Sequence, residues 1–422
     1  MTPEMLAIDG GRPVRAGPPI PLSRVSWDAT EQQAVERVFR SGLFCSVYAE
    51  AQETRALEAE FAARVGARYA VAFNSGTTAQ HAALAALGIG PGDEVIVPPL
   101  TFISTAYTVL IAGAVPVFAD VQRATICIDP DAIRRQITPR TRAIVPVHWF
   151  GLPAPMPEIM SIAQQHNLYV IEDCAHGPGI ALDGRPAGSF GQIATWSLQQ
   201  TKMLTAAGEG GLATTNDPAL AARLRQICDH GKAQGGVKAP TDFIRPYRIT
   251  ALGNNYRLSE IQSAFARAQL AKLDRFAAAR RKAYEEMRAG LAGIPGLEFQ
   301  EIRAGAQLSY IYFPVLFSRE AFSAPLERIV AALHYEGVAV HPIAVDELCH
   351  VHPLFTEPAS RATAVAFRLH GDPLPAYGWG TQPTAEKIAG ELLCLPLYPD
   401  LSAQDVADIV AATRKVAGAY RR

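Results

Sequence analysis

A lysine between two apolar β runs is an uncommon placement. Ile193-Ala-Thr-Trp-Ser197 is a short apolar run, a polar turn carrying Lys202 follows, and Gly208-Glu-Gly-Gly211 leads into a second β-rich run, Leu212 to Thr215. An amine so placed either snorkels to solvent or uses its nitrogen chemically. Two other stretches could supply its partners. Asn74-Ser75-Gly76-Thr77-Thr78-Ala79 opens a helix after an apolar run. Its free N–H groups and the positive end of the helix dipole suit a phosphate, although the same residues also make an ordinary N-cap. Glu172-Asp173-Cys174-Ala175-His176 sets two acids and a histidine at the end of another run; a lone acid there would more simply be a cap or an ion-pair partner.

A phosphate turn, a carboxylate and a lysine on three strands of one sheet match what pyridoxal phosphate requires. That cofactor needs a lysine for its Schiff base, an acid facing the ring nitrogen, and donors on the phosphate. A dinucleotide-binding dehydrogenase is the rival for such a sheet, and it would need G-x-G-x-x-G directly after a first strand. Gly208-Glu-Gly-Gly211 lacks the third glycine and comes late in the chain, so the rival falls behind.

Apolar strands separated by helices must position these residues. Strands are expected at 69–73, 94–97, 115–119, 142–147, 168–171, 193–197 and 212–215. Helices are expected at 30–40, 51–65, 77–87, 101–112, 130–137, 156–166 and 217–227. Continuous apolar strands alternating with helices predict a mostly parallel sheet covered on both faces, with its ligand site beyond the carboxyl ends of the strands. A loop region to about Thr250 is followed by a long amphipathic stretch from Ser259, with Ile261, Phe265, Leu273 and Phe276 at helical spacing. A strand at 309–317 and helices at 325–335 and 402–417 complete the pattern. The expected fold class is α/β: residues 1–260 as an N-terminal arm and large domain, 261–422 as a linking helix and a smaller α+β domain. Residues 371–381 read as a surface loop.

With 422 residues, 49% hydrophobic and 19% charged, and a net charge of −1, the chain reads as globular. It has no basic block or acidic tail, which argues against nucleic-acid or membrane-surface partners. No window approaches about 18 unbroken apolar residues, and the first residues lack the pattern of a signal peptide. The six cysteines are scattered, with no C-x-x-C or zinc spacing, so no metal site is expected and a reducing cytoplasm suits them.

In order along the chain stand Gly10-Gly-Arg-Pro-Val14, Asn74-Ser-Gly-Thr-Thr-Ala79, Gly92-Asp-Glu-Val-Ile-Val-Pro98 and Thr101-Phe-Ile-Ser-Thr105. They continue with Gly113-Ala-Val-Pro-Val117, Val147-His-Trp-Phe-Gly151, Glu172-Asp-Cys-Ala-His176, the lysine turn, Gly253-Asn-Asn-Tyr-Arg-Leu-Ser-Glu-Ile-Gln262 and Leu395-Pro-Leu-Tyr398. This ordered set resembles the DegT/StrS family of sugar aminotransferases over nearly the whole chain, and so implies the aspartate-aminotransferase-like fold (fold-type I of the pyridoxal-phosphate enzymes). The resemblance implies that Lys202 forms the Schiff base and moves the proton, and that Asp173 pairs with the pyridine nitrogen. It implies further that Phe102 stacks on the ring, that His176 contacts the ring hydroxyl, and that Gly76, Thr77 and Ser197 hold the phosphate. Asn255 would reach the neighbouring subunit's site in a homodimer, with Arg257 structural. Pyridoxamine phosphate would carry the amino group from glutamate or glutamine to a keto-cyclitol or nucleotide-linked keto-sugar, in antibiotic or amino-sugar biosynthesis.

Two departures bear on the branch. Gln199 stands three residues before the lysine, where many nucleotide-sugar members carry His, and this looks more like the cyclitol and aminoshikimate-type branch. The spacing from Lys202 to Gly208 is one residue longer than in many relatives. His341, His350 and His352 loosely echo a substrate stretch but also read as surface residues, and Glu209 as a turn residue. A lysine where some relatives carry histidine favours transamination over dehydration. A non-catalytic cofactor-binding regulator, a dehydratase or lyase of the same fold, and a carbohydrate-binding module are the other classes to separate.

Overall fold

The computed structural model describes residues 4–232, 248–342, 348–371 and 373–422. Most of the loop expected before Thr250, and position 372 within 371–381, lie outside the described residues. The seven strands of the main sheet are β1 (Tyr69–Phe73), β2 (Glu94–Val97), β3 (Val115–Phe118), β4 (Thr141–Ile144), β5 (Tyr169–Asp173), β6 (Ile193–Ser197) and β7 (Gly211–Thr215). They lie in the order β1-β7-β6-β5-β4-β2-β3. Only β7 runs antiparallel to its neighbours. It can do so because the lysine turn joins it to β6 as a hairpin, which needs no crossover helix.

The period-2 alternation of side chains sorts each strand between two cores. Ile96 and Val170 belong to one apolar cluster, while Val95, Val97 and Ile171 belong to the cluster on the opposite face. The helices Gly76–Ala86 and Ser104–Ile111 cover that second face, through Ala79, Ala82, Ala83, Ala106 and Val109. Several helix starts are written in the chain as reciprocal caps: Asp28 with Glu31, Ser75 with Thr78, Ser259 with Gln262, and Ser402 with Asp405.

A three-stranded antiparallel sheet follows: β8 (Leu297–Glu298), β9 (Phe313–Phe317) and β10 (Leu392–Leu395), in the order β8-β9-β10. The helices Leu326–Tyr335 and Ala403–Tyr420 pack with it in the first cluster. Three expectations need correction. The long amphipathic stretch is two helices, Glu260–Leu270 and Leu273–Leu291. The first of them buries small residues (Ser263, Ala264, Ala266, Ala268) and leaves Ile261 and Phe265 only half-buried. The expected strand from 309 begins at Phe313, since Tyr310 takes a left-handed φ of 57°. Strand β10 was not anticipated, because its four residues are all buried and show no alternation.

Within the expected surface loop at 371–381, Tyr377 ties the chain to the main sheet. The Tyr377 hydroxyl donates to Pro116 O at 2.7 Å, and just beyond the segment the Gln382 amide donates to Phe118 O at 3.1 Å. Cys349, Phe355 and Phe367 likewise pack into the core of the main sheet. Among the described residues, no helix is long and apolar enough to cross a membrane.

Candidate active site

The carboxyl ends of β5 and β6 and the start of helix Gly76–Ala86 converge on a cavity of about 540 Å³. Gly76, Thr77, Phe102, Asp173, His176, Ser197 and Lys202 all line it, as do Gln199, Glu209 and His341. Of the site residues expected from sequence, Asn255 alone is outside that wall. It is exposed, and its carbonyl accepts from the Asn74 amide at 3.5 Å, so it sits beside the strand end that leads into the helix.

The phosphate-like corner depends on close approach. A Cβ on Gly76 would lie 3.0 Å from Ser197 Cβ, and one on Gly211 would lie 2.3 Å from Ser75 O. Only glycine lets the helix start press against β6 and β7 in this way. The Ser75 hydroxyl caps Thr78 N at 3.1 Å, which leaves the amides of Gly76 and Thr77 at the mouth of the helix with the dipole behind them.

Asp173 is 6% exposed and held from three sides. One oxygen accepts from Gln80 Nε2 at 3.2 Å and Thr105 Oγ1 at 3.0 Å, and the other from Ala175 N at 3.0 Å. Gln80 is itself oriented by Thr108 Oγ1 at 3.3 Å. Such donors hold the carboxylate in one orientation.

His176 is fixed still more tightly. Phe150 N donates to its Nδ1 at 2.9 Å, so the neutral ring must carry its proton on Nε2. Trp149 stacks on the ring at 4.6 Å, and Tyr312 meets it edge-on at 5.7 Å. Burial, followed by the charge of Lys202 and then His148, pushes this imidazole well below its usual range. The neutral ring therefore presents an N–H donor to the cavity. The Phe150 amide is aimed by a strained turn: Phe150 has φ 56° and Gly151 φ 81°. A Cβ at Gly151 would lie 2.2 Å from Ser309 Oγ, the same hydroxyl that donates to His176 O at 2.7 Å.

Phe102 is 56% exposed, an apolar platform facing the cavity. Gln199 Oε1 accepts from Thr201 N and from Thr201 Oγ1, both at 2.7 Å, and Thr201 Oγ1 lies 3.4 Å from Tyr312 OH. Of the three histidines, His341 lines the cavity. His350 is fully buried under Phe118, bonded to Glu386 at 3.0 Å and shifted down by its burial. His352 is half-buried at the start of the short helix Pro353–Thr356. Sequence reasoning missed Gln80, Thr105, Tyr107, Trp149 and Tyr312. The first three could have been found by helical spacing from Gly76, Thr77 and Phe102, whereas Tyr312 comes from the distant small sheet.

Taken together, the wall offers amide and hydroxyl donors for a phosphate, an aromatic platform for a flat ring, a buried carboxylate for a basic ring nitrogen, an N–H donor for a ring oxygen, and an amine for a carbonyl carbon. Pyridoxal phosphate fits that donor set.

Residues 25–414 match the DegT/DnrJ/EryC1/StrS aminotransferase family. The chain is 38% identical, over 365 residues, to a UDP-N-acetyl-3-dehydro-alpha-D-glucosamine 3-aminotransferase of Acidithiobacillus ferrooxidans, covering 86% of this chain and 88% of that one. It is also 38% identical, over 365 residues, to an L-glutamine:2-deoxy-scyllo-inosose aminotransferase of Streptomyces kanamyceticus, covering 85% and 84%. Among solved structures, an aminotransferase from Psychrobacter cryohalolentis superposes with a TM-score of 0.85 at 33% identity, covering 95% of this chain and all of that one.

Proposed function

The chain belongs to the DegT/DnrJ/EryC1/StrS aminotransferase family, and from that premise we propose that it carries pyridoxal 5′-phosphate in the cavity around Lys202. It transfers an amino group from glutamate or glutamine to a keto-cyclitol or a nucleotide-linked keto-sugar, in antibiotic or amino-sugar biosynthesis. It works as a cytoplasmic homodimer, with residues 1–260 as arm and large domain and 261–422 as linking helix and small domain. The observation that carries this reading is the convergence of Lys202, Asp173 and the Ser75–Thr77 turn on one cavity.

When bound, the cofactor supplies an electron sink conjugated to the substrate carbon. The rest falls to the chain. The Gly76 and Thr77 amides and the Ser197 hydroxyl bind the phosphate, and Phe102 covers the ring and excludes water from one face. Asp173 would face the ring nitrogen and keep a proton there, held in place by Gln80, Thr105 and Ala175. The Nε2–H of His176 would donate to the ring oxygen. Lys202 would hold the cofactor through its carbonyl carbon, with loss of water, and its amine, when free of that bond, is placed to move a proton at the substrate carbon as a general base. Asn255, exposed at the edge of the site, reaches the partner's phosphate corner. Gln199 favours the cyclitol side of the substrate choice, while the two relatives at 38% identity are named one for a UDP-linked keto-sugar and one for L-glutamine and 2-deoxy-scyllo-inosose.

The test is spectroscopic. Purified protein should be yellow, and glutamate or glutamine should bleach it; restoration by an inosose rather than by a nucleotide-linked keto-sugar would assign the branch. Lys202→Ala should lose the visible band entirely. Colour indifferent to every amino donor would leave a non-catalytic binder, and a band that survives Lys202→Ala would refute the lysine assignment.

A further inference from the structure

Lys202 also lines a much smaller recess, about 10 Å³, with room for one small solvent molecule or ion. The N-terminal segment contributes Ser23 and Arg24, the lysine turn Thr205, and the helix Leu273–Leu291 Phe276 and Arg280. Two of these groups are buried donors left without an acceptor. Arg280 is 5% exposed; one terminal nitrogen donates to Ile311 O at 3.1 Å and Leu397 O at 2.9 Å, but Nε has no partner. Thr205 is 2% exposed, and its Oγ1 has no partner either. The Gln269 amide, also on the wall, is already committed to Ser26 O at 2.8 Å and Glu31 Oε1 at 2.7 Å.

The charge is as lopsided as the hydrogen bonding. Arg24 and Arg280 face the recess, and among the described residues no carboxylate does. Burial pulls the Arg280 guanidinium down to about 10, and Tyr312 and Asp400 oppose that only through space. Asp400 accepts from Ser26 Oγ at 3.0 Å instead. A buried guanidinium without a bonded anion is a costly arrangement, and a water in the recess would satisfy the donors without balancing the charge.

We propose that this recess binds a small monovalent anion, of chloride's size and charge, held by Arg280 Nε and Thr205 Oγ1 next to the lysine turn. Seated under the turn that carries Lys202, it would brace that turn without touching substrate.

The purified enzyme as isolated, crystallised from chloride, should show an anomalous peak at long wavelength within hydrogen-bonding reach of Arg280 Nε. In solution, replacing gluconate by chloride at constant ionic strength should raise Tm saturably, by about 2 °C at ten times the dissociation constant. Thr205→Val should weaken that response, and Arg280→Met should abolish it. Should Arg280→Met fail to fold, Thr205→Val and the diffraction measurement still decide the matter. An ordinary water with no anomalous signal, or a chloride response unchanged in Thr205→Val, would overturn the proposal.

Discussion

Glu172 and Asp173 are consecutive acids on β5, yet they serve opposite sides of the sheet. Asp173 follows Ile171 onto the face covered by helices Gly76–Ala86 and Ser104–Ile111, and its partners Gln80 and Thr105 come from those helices. Glu172 follows Val170 onto the other face and is fully buried. There it accepts from Gly188 N at 2.8 Å, from Phe190 N and Gly191 N at 2.7 Å each, and from His148 Nε2 at 3.2 Å. The His148 ring is oriented in turn by Ala154 N, which donates to Nδ1 at 3.1 Å. One carboxylate thus holds a turn of the chain, while its neighbour lines the cavity, oriented toward a ligand. The same functional group does both because the strand's alternation gives each a different environment.

Neutralising the two acids separately should therefore give opposite failures. Asp173→Asn keeps the shape and removes the charge opposite the ring nitrogen. Turnover should fall about 10³-fold, or ~4 kcal/mol of barrier, with Tm close to that of the wild type. Glu172→Gln places an amide among three backbone N–H donors. Losing charge-assisted bonds there should cost about 3 kcal/mol of stability, while the folded fraction keeps its visible band and most of its turnover. Paired measurements of melting and single-turnover rate check both. If Asp173→Asn melts early, or Glu172→Gln is stable but inactive, the division of labour is wrong.

How legible was this in the sequence? The glycines, the lysine turn and both acids stand next to recognisable strand ends, so the first wall of the cavity could be read from local pattern. The difference between Glu172 and Asp173 could not, because assigning faces needs to know which helices lie over which side. Strand β5 was also expected to stop at Ile171, whereas pairing carries it to Asp173. Tyr312 was illegible as a wall residue for a related reason: more than a hundred residues separate it from Lys202, and only the docking of β9 brings it in, whereas His341 did echo a substrate stretch. The left-handed Phe150 that fixes the His176 tautomer left no sign at all, since phenylalanine does not ordinarily mark a positive φ.

A gentler change probes the Asp173 side alone. Thr105→Val removes one donor from Asp173 and leaves Gln80 and Ala175 in place. One lost hydrogen bond to a charged group predicts about a tenfold lower rate with an unchanged Tm. A full loss of activity would mean that Thr105 touches ligand directly.

The smallest effect lies in the pH dependence of stability, and its sign follows from His176. The folded ring stays neutral well below its ordinary value, whereas the unfolded chain takes up a proton below about pH 6.5. In that window the unfolded state binds more protons, so stability is complete above it and falls as pH falls, by up to ~1.4 kcal/mol per pH unit for one group. His81 and His350, both lowered by burial, add the same trend. Glu58, raised by its burial, opposes it. His176→Gln removes one titrating group and leaves the others, so cofactor-free protein should lose less stability between pH 7.5 and 5.5 than the wild type, by about 1 kcal/mol. Equal slopes would mean that the His176 ring accepts its proton in the folded state. The Phe150 amide could not then hold Nδ1 as an acceptor, and the cavity side of β5 would be as open to titration as any exposed histidine.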